Sequence, residues 1–486
     1  MIGTHFQKAG TQLFVVACAC AYYLLNAPLL LAHNDMGWHL AAGDLIRAHN
    51  ALPAHDPWSF TAGSRQWFNL SWLWDVLASL VFQHAHFTGL LLLTLICGAV
   101  IVFCLASVCL ALGASPTAAA ISVLCAALLY PTFFAYPNIF VAVSPNMATM
   151  VFATIFYGEC LRATRRMLIL PLLMVFWVNL HGGFLIGILI LGVCCGVALL
   201  RQDWARLKLY LGVGCACLLT SLVNPLGWQI YLATGTTVGN FVQAEISEWW
   251  PYYKNFAWPG SLPGIIYMVA FLFLELRRRG DCPLEARILS WLFLGLGFYQ
   301  FRYIAFFFLF SAVPMALDLS RLQTARIDIQ AERALGVVGL AITCLLPVIF
   351  LRAEPQLNFP APMLSAKDAA YMQTHLPRAR LLNHWNVGSL LIFRLRGAIP
   401  VFVDGRAATA YPDDLLQDYF KLGREEVNDA EWDAVLAKYR IDTVLWLKGH
   451  DALRRFLVGR RGWKEVYDGT TVSIYTKSTP ADRYPH

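Results

Sequence analysis

Apolar runs separated by short polar loops fill residues 12–352, and the pattern changes over residues 353–486 to the mixed one of a soluble domain. A helix needs about 20 mainly apolar residues to cross the hydrocarbon core of a membrane. The runs predict eleven membrane-spanning helices, near residues 12–32, 87–112, 117–135, 145–161, 167–180, 183–200, 209–224, 262–276, 287–300, 303–319 and 334–352. We therefore expect an α-helical polytopic membrane protein whose C-terminal region forms a separate domain.

The C-terminal region alternates helical and extended patterns. Helices are predicted at residues 365–375, 387–395, 412–421, 430–439 and 450–458, and strands at residues 379–383, 399–403, 442–447, 463–467 and 471–476. Several of these strands are rich in the β-branched and aromatic residues that strands favour. The alternation predicts one small sheet packed by helices. The chain is thus divided into a transmembrane module over residues 1–352 and an α/β domain over residues 353–486.

Two long loops, residues 33–86 and 225–261, leave the predicted membrane module on the same side. In the first loop, residues 36–48 and 70–83 have the spacing of amphipathic helices with tryptophan on the apolar face. The second loop is dense in tryptophan and tyrosine between residues 228 and 258. Aromatic-rich amphipathic segments are typical of the membrane interface. We expect both loops to lie there.

Composition and charge agree with a membrane protein. The 486 residues are 58% hydrophobic and 14% charged, whereas a soluble protein has about 25% charged residues. Fourteen Lys and Arg residues fall in loops on one side of the predicted helices, and four fall on the other side. Because positive loops stay in the cytoplasm, the N-terminus is predicted to be cytoplasmic and the C-terminal domain extracytoplasmic. The net charge of +7 is explained by this distribution, so no nucleic-acid partner is indicated.

Several common classes of site find no support. The thirteen cysteines all precede residue 345, at spacings that match no zinc motif, and are predicted to be small apolar core residues. No P-loop, dinucleotide fingerprint, zincin motif or serine-nucleophile elbow stands out. The first apolar run is too long for a signal peptide and lacks a cleavage site, so we expect an uncleaved first span.

Two aspartates of the first outer loop are candidates for catalysis. Asp35 stands where the first span leaves the membrane, and an ionisable group at that depth is a functional candidate. The alternative is an N-cap for the helix that follows. Asp56 precedes a proline, so it is either a turn former or the partner of Asp35, as a base or a metal ligand. In the soluble domain, Asp404-Gly405-Arg406 predicts a turn closed by its own salt bridge.

Further candidates come from the later loops on the same side. Glu245 and Glu248 lie in the second outer loop, where the alternative is a solvated surface role. His181 lies at a hairpin tip beside two glycines, and a structural histidine is the alternative there. Arg302 is an isolated cation at the outer end of a helical hairpin. Arginine suits bidentate phosphate binding, and the alternative is a side chain that reaches towards lipid headgroups.

Eight short motifs stand out along the chain. They are Asp35-Met36-Gly37-Trp38-His39-Leu40-Ala41-Ala42-Gly43, Leu52-Pro53-Ala54-His55-Asp56-Pro57-Trp58-Ser59-Phe60, Ser71-Trp72-Leu73-Trp74, Trp177-Val178-Asn179-Leu180-His181-Gly182-Gly183-Phe184, Asn224-Pro225-Leu226-Gly227-Trp228, Glu248-Trp249, Asn383-His384-Trp385-Asn386-Val387-Gly388-Ser389 and Val403-Asp404-Gly405-Arg406. Together they resemble bacterial members of the type C (GT-C) superfamily of polytopic membrane glycosyltransferases.

The resemblance implies an activity and a place in the cell. Such enzymes sit in the bacterial inner membrane and act in cell-envelope glycan biosynthesis. They move a sugar from a polyprenyl-phosphate carrier to a glycan, lipid or protein acceptor outside the cytoplasm, usually with inversion. A carboxylate of the first outer loop is the base, which by position is Asp35. A cationic side chain, here Arg302, holds the donor phosphate.

The other candidates are given supporting roles. Asp56 is retained as a second catalytic residue, and His39, His181, Glu245 and Glu248 as substrate-binding residues. Some relatives bind a divalent metal ion through carboxylates of two loops, for which Asp56 and Glu248 are the candidates here.

Two other classes of function stay open. A transporter or flippase for a lipid-linked glycan predicts ionisable residues at mid-membrane and inverted repeats, whereas the candidate residues here gather at one face. A non-catalytic assembly or scaffold protein is the other alternative, since every candidate residue also has a structural role available to it.

Overall fold

The computed structural model describes residues 9–27, 34–62, 65–132, 142–236, 241–255, 261–277, 281–322, 328–353, 364–422, 429–448, 456–457 and 462–477. The chain forms two compact units. The first unit comprises Met1–Ala32, Ala85–Ile230 and Ile246–Leu357, and the second comprises His33–His84, Tyr231–Glu245 and Asn358–His486. The first outer loop therefore folds with the C-terminal region.

The helices are, in chain order, α1 Ala9–Leu25, α2 Met36–His49, α3 Trp72–Ala111, α4 Pro116–Thr132, α5 Asn146–Arg162, α6 Leu170–Leu180, α7 Leu185–Leu200, α8 Trp204–Thr220, α9 Gln229–Thr236, α10 Val242–Glu245, α11 Leu262–Arg277, α12 Leu284–Tyr299, α13 Ile304–Ser320, α14 Asp328–Ala353, α15 Ala366–His375, α16 Trp385–Leu395, α17 Asp413–Leu422 and α18 Asp429–Lys438. The strands are β1 Leu381–Asn383, β2 Thr443–Leu447, β3 Trp463–Asp468 and β4 Val472–Lys477.

Each predicted span coincides with an apolar helix. Among the described residues, four segments are long and apolar enough to cross a membrane: Trp72–Ala111, Gly182–Leu200, Phe301–Ser320 and Gln330–Arg352. Ala9–Leu25 and Pro116–Leu128 are shorter apolar helices. The mainly helical architecture with several apolar helices is therefore confirmed, and the number of eleven spans stays a prediction.

Helix α13 forms the core of the first unit. Every side chain from Ile304 to Asp318 is buried, including an internal proline, Pro314. Proline lacks the N–H that would bond to the carbonyl one turn earlier, which belongs to Phe310. The hydroxyl of Tyr157 in α5 donates to that carbonyl at 2.8 Å. A neighbouring helix thus satisfies the backbone acceptor that the proline leaves open.

Helices α1 and α14 pack at close range in the same unit. A side chain at Gly10 would collide with the backbone carbonyl of Glu332, and one at Gly339 would collide with the backbone of Phe14. The buried Glu332 carboxylate accepts hydrogen bonds from the backbone N–H of Thr11 at 3.0 Å and from its hydroxyl. Small residues and a satisfied polar group are what close helix packing in a membrane requires.

The second unit contains the predicted sheet, with strand order β1-β2-β4-β3. Strand β1 runs parallel to β2, and β4 pairs antiparallel with both β2 and β3. Helices α15 to α18 lie within about two residues of their predicted positions. The predicted helix 450–458 lies mainly outside the described residues.

The predicted strand 399–403 is wrong. Val401 makes only an isolated bridge, with Ser59 of the first outer loop. The side chain of Asn383, at the end of β1, accepts from the Phe402 N–H at 2.8 Å and donates to the Val403 carbonyl at 2.7 Å. The segment therefore bonds to a side chain and to the outer loop, and does not extend the sheet.

The two helices predicted in the first outer loop are present as α2 and the first part of α3. Asn50 ends α2 in the left-handed conformation, which asparagine tolerates. Helix α3 breaks at His86, so the predicted helix 70–83 and the following span form one element with a kink. Trp38 and Trp74, predicted to lie on apolar faces in the membrane interface, are buried within the protein.

Candidate functional site

Asp35 occupies the N-cap position of α2, but its side chain makes no capping hydrogen bond. The carboxylate lies instead against the backbone of Gly405 in the same unit, where any side chain would collide with it. The contacts do not support the N-cap alternative. The role of Asp35 as a base stays a prediction.

Arg406 is the centre of a buried cluster of charged groups beside Gly405. Its guanidinium donates from Nε to Asp404 Oδ1 at 2.8 Å and from Nη2 to Asp404 Oδ2 at 2.6 Å. Its Nη1 donates to Asp56 Oδ1 at 2.6 Å, and the Tyr411 hydroxyl donates to Asp404 Oδ2 at 2.6 Å. All three charged side chains are completely buried. The predicted Asp404–Arg406 turn salt bridge is present, joined by two partners that the sequence did not indicate.

The environment of Arg406 fixes its charge. Burial alone lowers the pKa of Arg406, but the nearby Asp404, Tyr411 and Asp56 raise that pKa well above its ordinary value. Burial, followed by Asp404, raises the pKa of Tyr411 well above its ordinary value, so its hydroxyl stays protonated and donates. The buried charge of Arg406 is compensated only while both carboxylates, Asp404 and Asp56, stay in place.

Asp56 makes contacts typical of a turn. Besides Arg406, its Oδ1 accepts from the backbone N–H of Trp58 at 3.0 Å, and its Oδ2 accepts from the Ser59 hydroxyl. Both carboxylate oxygens are therefore engaged. These contacts favour the structural alternative for Asp56, and its catalytic role stays a prediction.

His39 is held in a second buried network of the same unit. Its Nδ1 lies 2.6 Å from Asp75 Oδ1, at the start of α3. The other Asp75 oxygen accepts from Asn69 Nδ2 at 2.7 Å, and the ring of Trp38 stacks on His39 with centroids 3.6 Å apart. The pair joins α2 to α3. These contacts favour a structural histidine, and substrate binding by His39 stays a prediction.

Arg302 and the second outer loop come together in the first unit. The guanidinium carbon of Arg302 lies 3.9 Å from the ring centroid of Trp249. The backbone N–H of Phe301 donates to the Trp250 carbonyl at 2.9 Å. Glu248 precedes Trp249 in the same short turn, Ser247–Trp249. The structure thus connects two motifs that are separate in sequence, Glu248-Trp249 and the hairpin turn at Arg302.

His181 caps the α6–α7 hairpin of the first unit. Its Nδ1 lies 2.7 Å from the Thr149 hydroxyl and accepts from the Gly183 backbone N–H at 3.2 Å. The Trp177 indole N–H donates to the same hydroxyl at 3.0 Å. A side chain at Gly183 would collide with Thr149, which explains the glycine. These contacts favour a structural histidine, and the predicted substrate contact is untested.

The remaining candidate, Glu245, ends the short helix α10 of the second unit. Among the described residues, no group of three or more His, Cys, Asp or Glu side chains is placed to hold a metal ion. All thirteen cysteines are free thiols; four are buried, seven are half-buried, and Cys215 and Cys344 are exposed, so the prediction of core positions does not hold for all of them.

The fold is that of a known group of membrane enzymes. Archaeal oligosaccharyltransferase AglB from Archaeoglobus fulgidus, in complex with an inhibitory peptide and a dolichol-phosphate, matches with a TM-score of 0.59 at 13% identity over 96% of this chain and 74% of that chain. The oligosaccharyltransferase of the same organism, tethered with an acceptor peptide containing the NVT sequon, matches with a TM-score of 0.54 at 13% identity and the same coverage.

A third structure of the Archaeoglobus fulgidus enzyme, in complex with Zn and sulfate, matches with a TM-score of 0.55 at 14% identity over 95% of this chain and 73% of that chain. No protein-family model matches the sequence, and no curated protein matches it. At these identities the similarity shows the fold.

Proposed function

We propose, from the premise that the chain has the GT-C fold, that it is a membrane glycosyltransferase. It takes a sugar from a polyprenyl-phosphate-linked donor and passes it to an extracytoplasmic acceptor. The observation that carries the proposal is the match over 96% of the chain to an oligosaccharyltransferase whose structure contains a dolichol-phosphate. The likeness includes the apolar helices and the C-terminal region, so it is not limited to a shared hydrophobic composition.

Asp35 is the proposed general base. An acceptor nucleophile attacks the anomeric carbon, the bond from that carbon to the phosphate oxygen breaks, and the nucleophile's proton passes to the carboxylate. Attack opposite the leaving group inverts the anomeric centre. The absence of a capping hydrogen bond supports the assignment, because the carboxylate is not used to stabilise the start of α2.

Arg302 is the proposed ligand of the donor phosphate. Its guanidinium carbon lies 3.9 Å from the ring centroid of Trp249, which is a cation–π contact. A guanidinium that contacts an aromatic ring through its face keeps the N–H donors in its plane, and these suit a phosphate. The leaving polyprenyl phosphate gains negative charge in the transition state, which a fixed cation stabilises.

The contacts of Asp56, one of the two residues predicted to bind a divalent metal ion, do not favour that role. Asp56 uses both oxygens in hydrogen bonds to Arg406, Trp58 and Ser59. A cation bound at Asp56 would compete with Arg406 for the same buried carboxylate. We therefore derive no step through a metal ion.

The test begins with the glycans of cells that have or lack the protein. Mass spectrometry should show a glycan that loses one sugar and a lipid-linked sugar that accumulates. Purified protein in detergent is then given synthetic polyprenyl-phosphate monosaccharides and the glycan of the deficient cells. A new glycosidic bond formed in micelles supports a transferase, since a flippase needs two sides of a membrane. Unchanged glycans and unchanged lipid-linked sugars would overturn the proposal and favour the scaffold alternative.

A further inference from the structure

The soluble C-terminal region contacts the residue proposed as the base. Gly405 belongs to that region, and its Cα stands so close to the Asp35 carboxylate that any Cβ would collide with an oxygen. Both residues belong to the second unit. The carboxylate thus lies in contact with a residue far away in the sequence.

Both sides of this contact are held rigidly. The Arg406 backbone N–H and guanidinium bond to Asp404, which encloses Gly405 in a turn that cannot open without exposing buried charges. A side chain at Gly388 would collide with the Val403 carbonyl, so α16 lies directly against the same turn. The turn is a fixed surface.

The helix that begins next to Asp35 is docked on the same region. The Trp38 backbone N–H donates to the Ser389 hydroxyl at 2.9 Å. A side chain at Gly37 would collide with the Ser389 carbonyl. The first turn of α2 therefore contacts α16. This close packing fixes the position of the start of α2, which Asp35 directly precedes.

We propose that the turn Asp404-Gly405-Arg406 is a positioning element of the transfer reaction, with Gly405 as the residue that sets the orientation of the Asp35 carboxylate. The inference rests on the proposed role of Asp35 as base. It assigns a task to the C-terminal region: its backbone at residue 405 supports the base, and Arg406 holds that backbone in place. A carboxylate displaced by about 1 Å loses alignment with its proton, which costs about 10²-fold in rate.

Gly405→Ala is the test, made in the full-length protein. It should lower kcat about 10²-fold with the KM for the polyprenyl-phosphate monosaccharide unchanged. Gly469→Ala is the matched control, because its Cβ would meet a different carboxylate, Asp368, at the β3–β4 turn. It should lower the melting temperature while the folded protein keeps its kcat.

A double-mutant cycle of melting temperatures tests the contact between Gly405 and Asp35 without an activity measurement. Gly405→Ala should lower the melting temperature of the wild type, and should lower it less in an Asp35→Ala background, where the colliding group is absent. Equal losses in both backgrounds would overturn the contact, even if the single variant folds poorly. Wild-type kcat in folded Gly405→Ala, with Asp35→Asn inactive, would overturn the positioning role and leave the proposed function standing. Full activity of Asp35→Asn would remove the base and this inference together.

Discussion

The candidate residues fall into two groups. In the first group, hydrogen bonds within the protein engage the side chain, and in the second group the contacts are compatible with ligand binding. Asp56, His39 and His181 are engaged by side chains and backbone groups of their own units. Asp35 and Arg302 contact a backbone surface and an aromatic face. Contacts of the second kind restrict the orientation of a side chain, which is what a preorganised catalytic group requires.

The Trp249 side chain should matter for donor binding through Arg302. A cation–π contact contributes about 0.5–2 kcal/mol, so Trp249→Leu should raise the KM for the polyprenyl-phosphate monosaccharide about 2–30-fold, with a smaller change in kcat. Trp249→Phe, which keeps an aromatic face, should retain most of the affinity. Trp250→Leu is the matched control, since Trp250 contributes a backbone carbonyl to the Phe301 N–H. An unchanged KM in Trp249→Leu would contradict the role of the stack.

The Arg406 cluster should dominate the stability of the second unit. Arg406→Met leaves two buried carboxylates without a cation, and removing one partner of a buried pair costs about 3–5 kcal/mol. The melting temperature of the purified protein should fall sharply. Lys438→Met provides the control, because its pair with Asp418 is half exposed and such pairs contribute about 0–1 kcal/mol. Similar melting of the two variants would contradict the account.

The sequence predicted only half of this cluster. The Asp404–Arg406 pair follows from their spacing in a turn, but Asp56 is separated from Arg406 by most of the chain, and no local pattern connects them. The apolar residues on both sides of the turn were a sign that its charges are buried. They could not identify which distant carboxylate shares the arginine.

At the scale of elements, periodicity predicted the helices well and the extended segments less well. Apolar helices can be recognised in a sequence by their length and composition, so each predicted span coincides with a helix. The segment 399–403 has strand-like residues, but whether such a segment joins a sheet depends on an open neighbouring edge. The Asn383 side chain instead bonds to the backbone N–H of Phe402 and the carbonyl of Val403. The tryptophans of α2 and α3 likewise look interfacial in sequence because their protein partners are remote.

The packing of α2 on α3 should tolerate no side chain at Gly43. A Cβ there would collide with the Asp75 backbone carbonyl and with Ser79, and overpacking typically costs about 1–3 kcal/mol. Gly43→Ala should therefore lower the melting temperature. Gly192→Ala, in a helix where an added Cβ meets nothing within 4 Å, should leave it unchanged or raise it. A Gly43→Ala protein that melts like the wild type would show that the two helices can separate freely.

At the scale of the whole molecule, the first outer loop and the C-terminal region form one unit although most of the apolar helices lie between them in sequence. The domain boundary predicted at residue 352 follows the change in composition from apolar to mixed. The compact units follow the packing of residues against each other, and composition does not reveal which distant segments pack together. The fold itself was predicted from the motifs because they occur along most of the chain.

Membrane orientation is the whole-molecule prediction that follows from the charges. The excess of Lys and Arg on one side predicts a cytoplasmic N-terminus and a C-terminal domain outside the cytoplasm. Alkaline phosphatase fused after His486 should be active, and a fluorescent protein that matures only in the cytoplasm should stay dark there. The reverse pattern would contradict the combination of a cytoplasmic N-terminus with an odd number of spans.

The most direct measurement of the central claim is sugar transfer by purified Asp35→Asn protein in detergent. Asparagine keeps the shape of the side chain and removes its basicity. Losing a general base costs about 10²–10⁴-fold, so transfer from the polyprenyl-phosphate monosaccharide should fall by that factor while the melting temperature stays the same. Wild-type transfer by folded Asp35→Asn would contradict the account of this chain as a glycosyltransferase that uses Asp35 as its base.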